Sequence, residues 1–230
     1  MTTAASTHSR CHATSQRRPA RLVETFVAGL LAVWAAGTVI GGSGNATAAA
    51  CSSIDLVVAR GTHEPGWLGL KVGDRLFADL QAAVTSSLTA YRVDYPADLL
   101  DPFSVGDGSR DLVAHLTAQA TACPDQRFVL AGYSQGAVVV HAALGTWPAT
   151  LVPGAAQLPP DLGDRVAVVL LFGDPLRLIG QSVPEPYSAR TGSWCLDGDP
   201  VCQPGGREPP AHIAYSSHLT EAAAFTTDHL

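Results

Sequence analysis

Residues 128–141 read FVLAGYSQGAVVVH, and this stretch decides the fold. Residues 128–133 are a short apolar run typical of a buried strand, and the Ala- and Val-rich segment 135–147 is typical of a helix. Between them stands Gly132-Tyr133-Ser134-Gln135-Gly136. A G-x-S-x-G sequence at a strand-to-helix turn exposes its serine in a strained conformation, while the glycines let the helix pack on the strand. We therefore predict that Ser134 is a nucleophile and that the backbone N–H of Gln135 faces the developing oxyanion.

The segments on either side of this turn alternate between strands and helices. Val166–Phe172 (VAVVLLF) is a continuous apolar run, and Ile54–Ala59 (IDLVVA) is apolar apart from Asp55, as is typical of strands buried on both faces. Residues 91–95 alternate like a strand. Three further segments have the apolar spacing of helices, namely residues 70–88, a run capped by Ser109, and residues 217–229. This order predicts an α/β fold, a three-layer α/β/α sandwich around a central, mostly parallel sheet. Functional residues are then expected at the carboxyl ends of the strands.

The composition excludes several classes of protein. The chain has 230 residues, of which 47% are hydrophobic and only 15% charged, a balance that argues against intrinsic disorder. Lys and Arg number 14 against 20 Asp and Glu, which gives a formal charge of -6. Because nucleic-acid binding needs a basic surface, this acidic balance argues against a nucleic-acid partner.

The amino-terminal segment has the order of a secretory signal peptide. Four arginines stand at positions 10, 17, 18 and 21, an apolar run covers residues 26–40, and small residues follow up to Ala50. The apolar run has about fifteen residues, fewer than the roughly 20 that a spanning helix needs. We predict a signal peptide over residues 1–48, with cleavage after Ala48 or alternatively after Ala50. The mature chain, residues 49–230, is then secreted and has no stable membrane insertion.

Four cysteines remain in that mature chain, an even number that suits an oxidising compartment. Cys195 and Cys202 are seven positions apart with Gly198 and Pro200 between them, which favours a local disulfide. Cys51 and Cys123 then form the second disulfide. The spacing argues against a zinc site, and the absence of a leucine before Cys51 argues against a lipidated first residue.

A reactive serine needs a base, and the base needs an acid that orients it. In hydrolases built on such a turn, the chain order is nucleophile, acid, histidine. After Ser134 the candidate histidines are His212, His218 and His229. His212, in a Pro-rich loop, is favoured over the two that stand in the predicted terminal helix. The residues alone leave three acids open, which are Asp174, just past a predicted strand, and Asp197 and Asp199, between Cys195 and Cys202.

Three other histidines have structural interpretations. We expect His63 to be an exposed loop residue, His115 to lie at the surface of an amphipathic helix, and His141 to pack or cap within its helix. The glycines at positions 106 and 108 are not followed by Lys-Ser/Thr, so they do not form a phosphate-binding loop.

Taken together, these features resemble the cutinase family of secreted serine esterases, which have an α/β-hydrolase fold. The matching residues are Cys51 before a strand, Arg60-Gly61-Thr62 after it, Cys123-Pro124, Gly132 to Gly136, the loop from Cys195 to Cys202, and His212-Ile213-Ala214-Tyr215. The resemblance covers essentially the whole mature chain. The combination is far more specific than the serine turn alone.

The resemblance implies a role for each residue of the site. Asp199 is then the acid and His212 the base, while Asp174 is a strand-end residue that hydrogen-bonds the backbone. Thr62 is then the second oxyanion donor beside Gln135, through its backbone N–H and its hydroxyl. No metal and no cofactor are needed for this chemistry.

The resemblance also bears on the substrate. It implies carboxylic esters of short to medium acyl chains, or a polyester such as cutin. The alternative is a lipase or phospholipase that acts on envelope or host lipids. The long segment over residues 175–194, with Leu176, Leu178, Ile179 and Val183, is the expected apolar rim. We expect a monomer, with association with the cell wall left open, and the intact triad argues against a binding protein that has lost activity.

Overall fold

The computed structural model describes residues 51–230, so the predicted signal peptide over 1–48 and its cleavage site lie outside the described residues. Five strands form one sheet, in which neighbouring strands are parallel and follow the order β2-β1-β3-β4-β5. The strands are β1 Ile54–Ala59, β2 Leu88–Arg92, β3 Arg127–Tyr133, β4 Val166–Phe172 and β5 Thr191–Trp194. The prediction of a central parallel sheet is confirmed.

Helices cover both faces of this sheet. They are α1 Gly73–Ala83, α2 Ser104–Ala122, α3 Gln135–Ala143 and α4 Leu219–His229. One face of the sheet packs against α2 and α3 in a cluster that contains Val57, whereas the other packs against α1 and α4 in a cluster that contains Leu56. Successive residues of β1 therefore point into opposite layers of core, as a strand buried on both faces requires. The three-layer α/β/α architecture is confirmed.

The strand order fixes where a site can form. From β1 the chain moves to the edge strand β2, and it then crosses back to place β3 on the other side of β1. The loops that leave β1 and β3 at their carboxyl ends therefore run in opposite directions and open a crevice between them. Ligand sites in open parallel sheets form at such a reversal. Thr62 follows β1 and Ser134 follows β3, so the topology brings both to this crevice.

Several predicted element bounds are wrong. The helix predicted over 70–88 covers only Gly73–Ala83, because the chain extends at Val84 and Leu88 starts the edge strand β2. Ser109 does not cap α2, which starts at Ser104; its hydroxyl lies inside the helix, donates to Gly106 O and accepts from Ala156 N. The helix predicted up to residue 147 ends at Ala143.

Two disulfides close the structure, Cys51–Cys123 and Cys195–Cys202, in the pairing predicted from the spacing. The first joins the start of β1 to the end of α2 across 72 residues, and a loop of that length is worth about 4 kcal/mol in the chain-entropy model. The second closes a loop of seven residues after β5. No helix within residues 51–230 is both long enough and apolar enough to cross a membrane.

Candidate active site

The turn between β3 and α3 holds Ser134 in a strained conformation. Its φ of 55° and ψ of −119° are unfavourable for a residue with a side chain, and its N–H donates to Phe172 O at 2.9 Å. The flanking glycines make the close approach of helix and strand sterically feasible. A Cβ on Gly136 would lie 1.9 Å from Ala59 O, and one on Gly132 would lie 2.6 Å from Gly136 O. The sequence thus forces a sharp turn that presents the Ser134 hydroxyl at the crevice.

A chain of hydrogen bonds runs from this hydroxyl to a buried carboxylate. His212 Nε2 lies 2.9 Å from Ser134 Oγ, and His212 Nδ1 lies 2.8 Å from Asp199 Oδ2. The Asp199 side chain is wholly buried, whereas the His212 side chain is 16% exposed. Tyr133, inside the turn, donates to the backbone carbonyl of His212 at 2.6 Å, which holds the histidine loop against the turn. The structure therefore brings together three of the residues that the sequence predicts for the site.

The carboxylate of Asp199 is surrounded by donors. Tyr215 Oη donates to Oδ2 at 2.5 Å, and the backbone N–H of Val201 donates to Oδ1 at 2.8 Å. Burial alone would raise the pKa of Asp199, but the hydrogen bonds from Tyr215, His212 and Val201 outweigh it and hold this pKa below its ordinary value. The group is therefore an ionised acceptor at neutral pH. The sequence analysis gave Tyr215 no role of its own, and the only signal was its place three residues after His212.

The predicted oxyanion donors lie on the other side of Ser134. Gln135 is the first residue of α3, so its backbone N–H has no acceptor within the helix. Thr62, in the loop after β1, donates from Oγ1 to Gln135 Oε1 at 3.3 Å. The Gln135 side chain in turn donates to Asp98 O at 3.0 Å. The side chain of Gln135 therefore connects Thr62 to the loop that follows β2.

A second buried carboxylate organises the loop that carries Thr62. Glu64 accepts from the backbone N–H of Gly61 at 2.8 Å and from that of Lys71 at 2.6 Å. Burial raises the pKa of Glu64, and these two backbone donors oppose the rise. Glu64 was not among the residues predicted from the sequence. Its signal was a charged residue within the Gly-rich turn that follows a buried strand.

The comparisons with known proteins agree with this geometry. A protein-family model described as Cutinase matches residues 50–230. The chain belongs to the cutinase family. The cutinase of Botryotinia fuckeliana is 37% identical to it over 186 residues, which are 80% of this chain and 86% of that protein. Phospholipase Culp4 of Mycobacterium tuberculosis is 36% identical over 182 residues, which are 76% of this chain and 77% of that protein.

Among solved structures, Trichoderma reesei cutinase in complex with a C11Y4 phosphonate inhibitor has a TM-score of 0.65. It is 32% identical in sequence, and the match covers 77% of this chain and 76% of that one. The family, the fold and the enzyme class predicted from the motifs are confirmed. This member of the cutinase family is a serine carboxylic ester hydrolase.

Within residues 51–230, the other candidate acids and histidines are hydrogen-bonded to groups other than Ser134. Asp197 accepts from the Gln203 side chain, His218 contacts the Ser217 hydroxyl, and His229 contacts the Phe225 carbonyl. Asp174 accepts from the Leu176 backbone N–H at 2.9 Å, as expected, and from His141, which is buried as expected. His63 is exposed in its loop, as expected. The expectation that His115 is a surface residue is wrong, because it is largely buried, 2.7 Å from Asp55 Oδ2 and stacked on a tyrosine ring. Among residues 51–230, no group of three or more His, Cys, Asp and Glu side chains is arranged to hold a metal ion.

The apolar rim of this cutinase-family chain differs in part from the expectation. Leu178 and Ile179 are exposed, but Leu176 and Val183 are buried, so only the first two contribute to a surface. The segment over 175–194 ends in the strand β5. Further exposed apolar side chains stand in the loops at the same edge of the sheet, namely Leu99, Leu100, Phe103 and Ile213.

Proposed function

We propose that this enzyme hydrolyses carboxylic esters of short to medium acyl chains, or a polyester such as cutin, through an acyl-enzyme. Ser134 is the nucleophile, His212 the general base and Asp199 the acid that orients it. The observation that carries the proposal is the continuous hydrogen-bond chain from the buried Asp199 through His212 to the strained, partly exposed Ser134. Ester hydrolysis by this arrangement needs neither a metal nor a cofactor.

The first half of the reaction forms the acyl-enzyme. Ser134 Oγ attacks the ester carbonyl carbon while His212 Nε2 takes its proton, and the Nδ1–H of His212 stays hydrogen-bonded to Asp199. The carbonyl oxygen becomes an oxyanion, which the backbone N–H groups of Gln135 and Thr62 stabilise. The Thr62 hydroxyl joins them when it turns from Gln135 Oε1 toward the oxyanion. His212 then returns its proton to the alcohol oxygen as the carbon–oxygen bond breaks.

The second half repeats the same steps with water. His212 takes a proton from a water molecule, whose oxygen attacks the acyl carbon. The second oxyanion that forms is stabilised by the same donors as the first. The proton then passes to Ser134 Oγ, the acid is released and the serine is restored. Because Asp199 keeps His212 in one tautomer throughout, one histidine serves as base and acid in both halves.

The exposed apolar side chains in the loops around Ser134 favour a substrate with apolar groups. Leu99, Leu100 and Phe103 stand in the loop that Gln135 contacts through Asp98, Leu178 and Ile179 follow β4, and Ile213 adjoins His212. Such side chains suit an acyl chain or the surface of a polyester, since contact removes their apolar area from water. The same surface suits a lipid aggregate, and one relative carries the name of a phospholipase. A lipase or phospholipase is therefore the alternative function.

Acyl-chain selectivity tests the proposal. The purified, oxidised enzyme is assayed on p-nitrophenyl esters from acetate to palmitate, with and without a detergent or emulsion interface, beside Ser134→Ala. Turnover that peaks at butyrate or hexanoate and vanishes in the variant supports the esterase, and release of monomers from a polyester film then tests cutin-like substrates. Turnover that needs long chains and an interface supports the lipase instead. Ester hydrolysis that survives in Ser134→Ala, or no hydrolysis of any ester, contradicts the proposal.

The proposal includes secretion as a monomer. The signal-like segment over 1–48 and the two disulfides support export, because disulfides persist in oxidising compartments. Amino-terminal sequencing of the protein from culture medium is expected to give Ala49 as the first residue, and sedimentation is expected to give the mass of a single chain. A cell-bound chain that keeps residues 1–48 would contradict export.

A further inference from the structure

Tyr215 is wholly buried directly behind the proposed triad. Its hydroxyl donates to Asp199 Oδ2 at 2.5 Å, and this same oxygen lies 2.8 Å from His212 Nδ1. The tyrosine oxygen also accepts from the backbone N–H of Leu196 at 3.3 Å. Because the backbone N–H can only donate and the carboxylate of Asp199 can only accept, the hydroxyl proton points to Asp199. The disulfide sulfur of Cys202, 3.3 Å from the same oxygen, is a weaker acceptor.

The ring of Tyr215 is held as firmly as its hydroxyl. It packs edge-on against Tyr133 and Phe172, with ring centroids 5.8 Å and 6.0 Å away, and lies perpendicular to the ring of His212 at 6.3 Å. At Gly173, whose φ is +55°, a Cβ would lie 2.7 Å from His212 Cε1 and 3.1 Å from Tyr215 Cε2. The space that Gly173 leaves open is therefore filled by these two rings. One side chain thus contacts both the acid and the base.

We infer that Tyr215 is a positioning residue for the reaction, whose hydroxyl fixes the Asp199 oxygen that faces His212 and moderates the charge which that oxygen presents. The inference rests on the proposed roles of Ser134, His212 and Asp199. Tyr215 is wholly buried, so it acts through the residues that it contacts, Asp199 above all, and not on the substrate.

The chemistry gives this role a distinctive signature. Burial and the neighbouring carboxylate raise the pKa of the Tyr215 hydroxyl far above its ordinary value, so it stays a donor across the working range. Without this donor, the carboxylate of Asp199 is more basic and stabilises the imidazolium form of His212 more strongly. Loss of the hydroxyl therefore moves the acidic limb of the pH profile of kcat/KM to higher pH. A purely structural role would leave this limb in place.

Tyr215→Phe tests the inference, with Tyr91→Phe as the matched control. Tyr91 Oη also donates to a carboxylate, that of Asp111 at 3.0 Å, but this pair lies away from Ser134 beside the edge strand β2. Both variants lose one tyrosine–carboxylate hydrogen bond, so thermal unfolding reports the structural cost in each. For Tyr215→Phe we expect kcat/KM about tenfold lower at neutral pH and an acidic limb about half a pH unit higher, because Asp199 loses the donor that fixes its oxygen and lowers its basicity.

The outcomes separate this inference from the proposed function. An acidic limb that stays at its wild-type position in Tyr215→Phe, as in Tyr91→Phe, overturns the inference even if Ser134→Ala is inactive. Full turnover in Ser134→Ala instead overturns the proposed function. If Tyr215→Phe does not fold, 3-fluorotyrosine placed at position 215 keeps the ring and strengthens the donor. The acidic limb is then expected at lower pH than in the wild type, and an unmoved limb overturns the inference.

Discussion

Two buried histidine–aspartate pairs in this molecule differ mainly in their surroundings. His212 lies 2.8 Å from Asp199, and His141 lies 3.0 Å from Asp174. Each aspartate also accepts a hydrogen bond from the backbone N–H of the residue two positions further along the chain. The side chain of His141, however, is wholly buried, whereas 16% of the His212 side chain is exposed. The pairs have the same chemical groups, and only one of them meets solvent.

A hydroxyl completes both arrangements. The second nitrogen of His212 lies 2.9 Å from Ser134 Oγ, and that of His141 lies 2.9 Å from Thr146 Oγ1. Thr146 is buried and lies in the loop that follows α3, whereas Ser134 stands in a strained turn next to the free N–H of Gln135. An acid–histidine–hydroxyl chain is therefore insufficient for catalysis. Access for the substrate and donors for the oxyanion distinguish the proposed active site from a structural network.

Removing the two hydroxyls gives the largest expected contrast. Ser134→Ala should lower kcat by about 10⁴-fold or more, because triad members act as a unit. Thr146→Ala should leave kcat within about threefold, but it should cost ~1–3 kcal/mol of unfolding free energy, since a buried imidazole nitrogen loses its partner. Ester turnover and urea unfolding of both variants measure this. Loss of turnover in Thr146→Ala without loss of stability would show that the comparison is wrong.

Substitution of the two acids should give the next largest contrast. Asp199→Asn should lower kcat by about 10³- to 10⁴-fold, because the amide stabilises the wrong tautomer of His212. Asp174→Asn should reduce stability by ~1–3 kcal/mol with little change in kcat, because His141 loses an acceptor in a buried network. The same assay and unfolding curves compare them. Equal loss of turnover in the two variants would contradict the assignment of Asp199 as the acid.

The nucleophile of the proposed active site could be predicted from the sequence, whereas its acid could not be predicted from the residues alone. Ser134 could be predicted because Gly132 and Gly136 are needed for a local steric reason. Wherever a strand turns this sharply into a helix, side chains at those two positions would obstruct the packing. The local disulfide could also be predicted, because Cys195 and Cys202 are seven positions apart with Gly and Pro between them, and such a loop closes easily. The acid was different, since the residues left Asp174, just past a predicted strand, open against Asp197 and Asp199 between the two cysteines. What separates them is the path of the loop that returns His212, which the residues alone do not specify.

The remaining errors come from contacts between distant parts of the chain. His115 was placed at the surface because its helix is amphipathic, but its partner Asp55 is 60 residues away and faces α2 from within β1. A carboxylate inside the apolar run IDLVVA was the available signal for a buried partner. The short strand β5 (TGSW) carries no apolar run, and pairing with β4 makes it a strand. Such pairing is a tertiary effect that local patterns do not encode.

The two aspartates are held by different parts of the structure, which predicts a smaller difference in kcat between variants that lack one disulfide or the other. Asp174 directly follows β4, whereas Asp199 depends on the loop closed by Cys195–Cys202. Cys195→Ser/Cys202→Ser should therefore lower kcat about tenfold, because the acid loses its fixed position. Cys51→Ser/Cys123→Ser should lower stability by about 4 kcal/mol and leave kcat of the folded enzyme unchanged. Turnover and unfolding are measured at low temperature, and equal kcat in the two double variants would argue against a catalytic role for the second disulfide.

The smallest expected effect is the pH dependence of stability that Asp199 contributes. Its hydrogen bonds outweigh burial and place its pKa below the ordinary value of 3.8, so ionised Asp199 favours the folded state. A carboxylate of this kind contributes fully above its unfolded pKa and loses the contribution as pH falls through the folded pKa. The difference in unfolding free energy between wild type and Asp199→Asn should thus be constant above about pH 5 and shrink on further acidification. The exposed Asp197→Asn is the matched control, and an equally large acid-dependent difference there would show that the hydrogen bonds of Asp199 are not its cause.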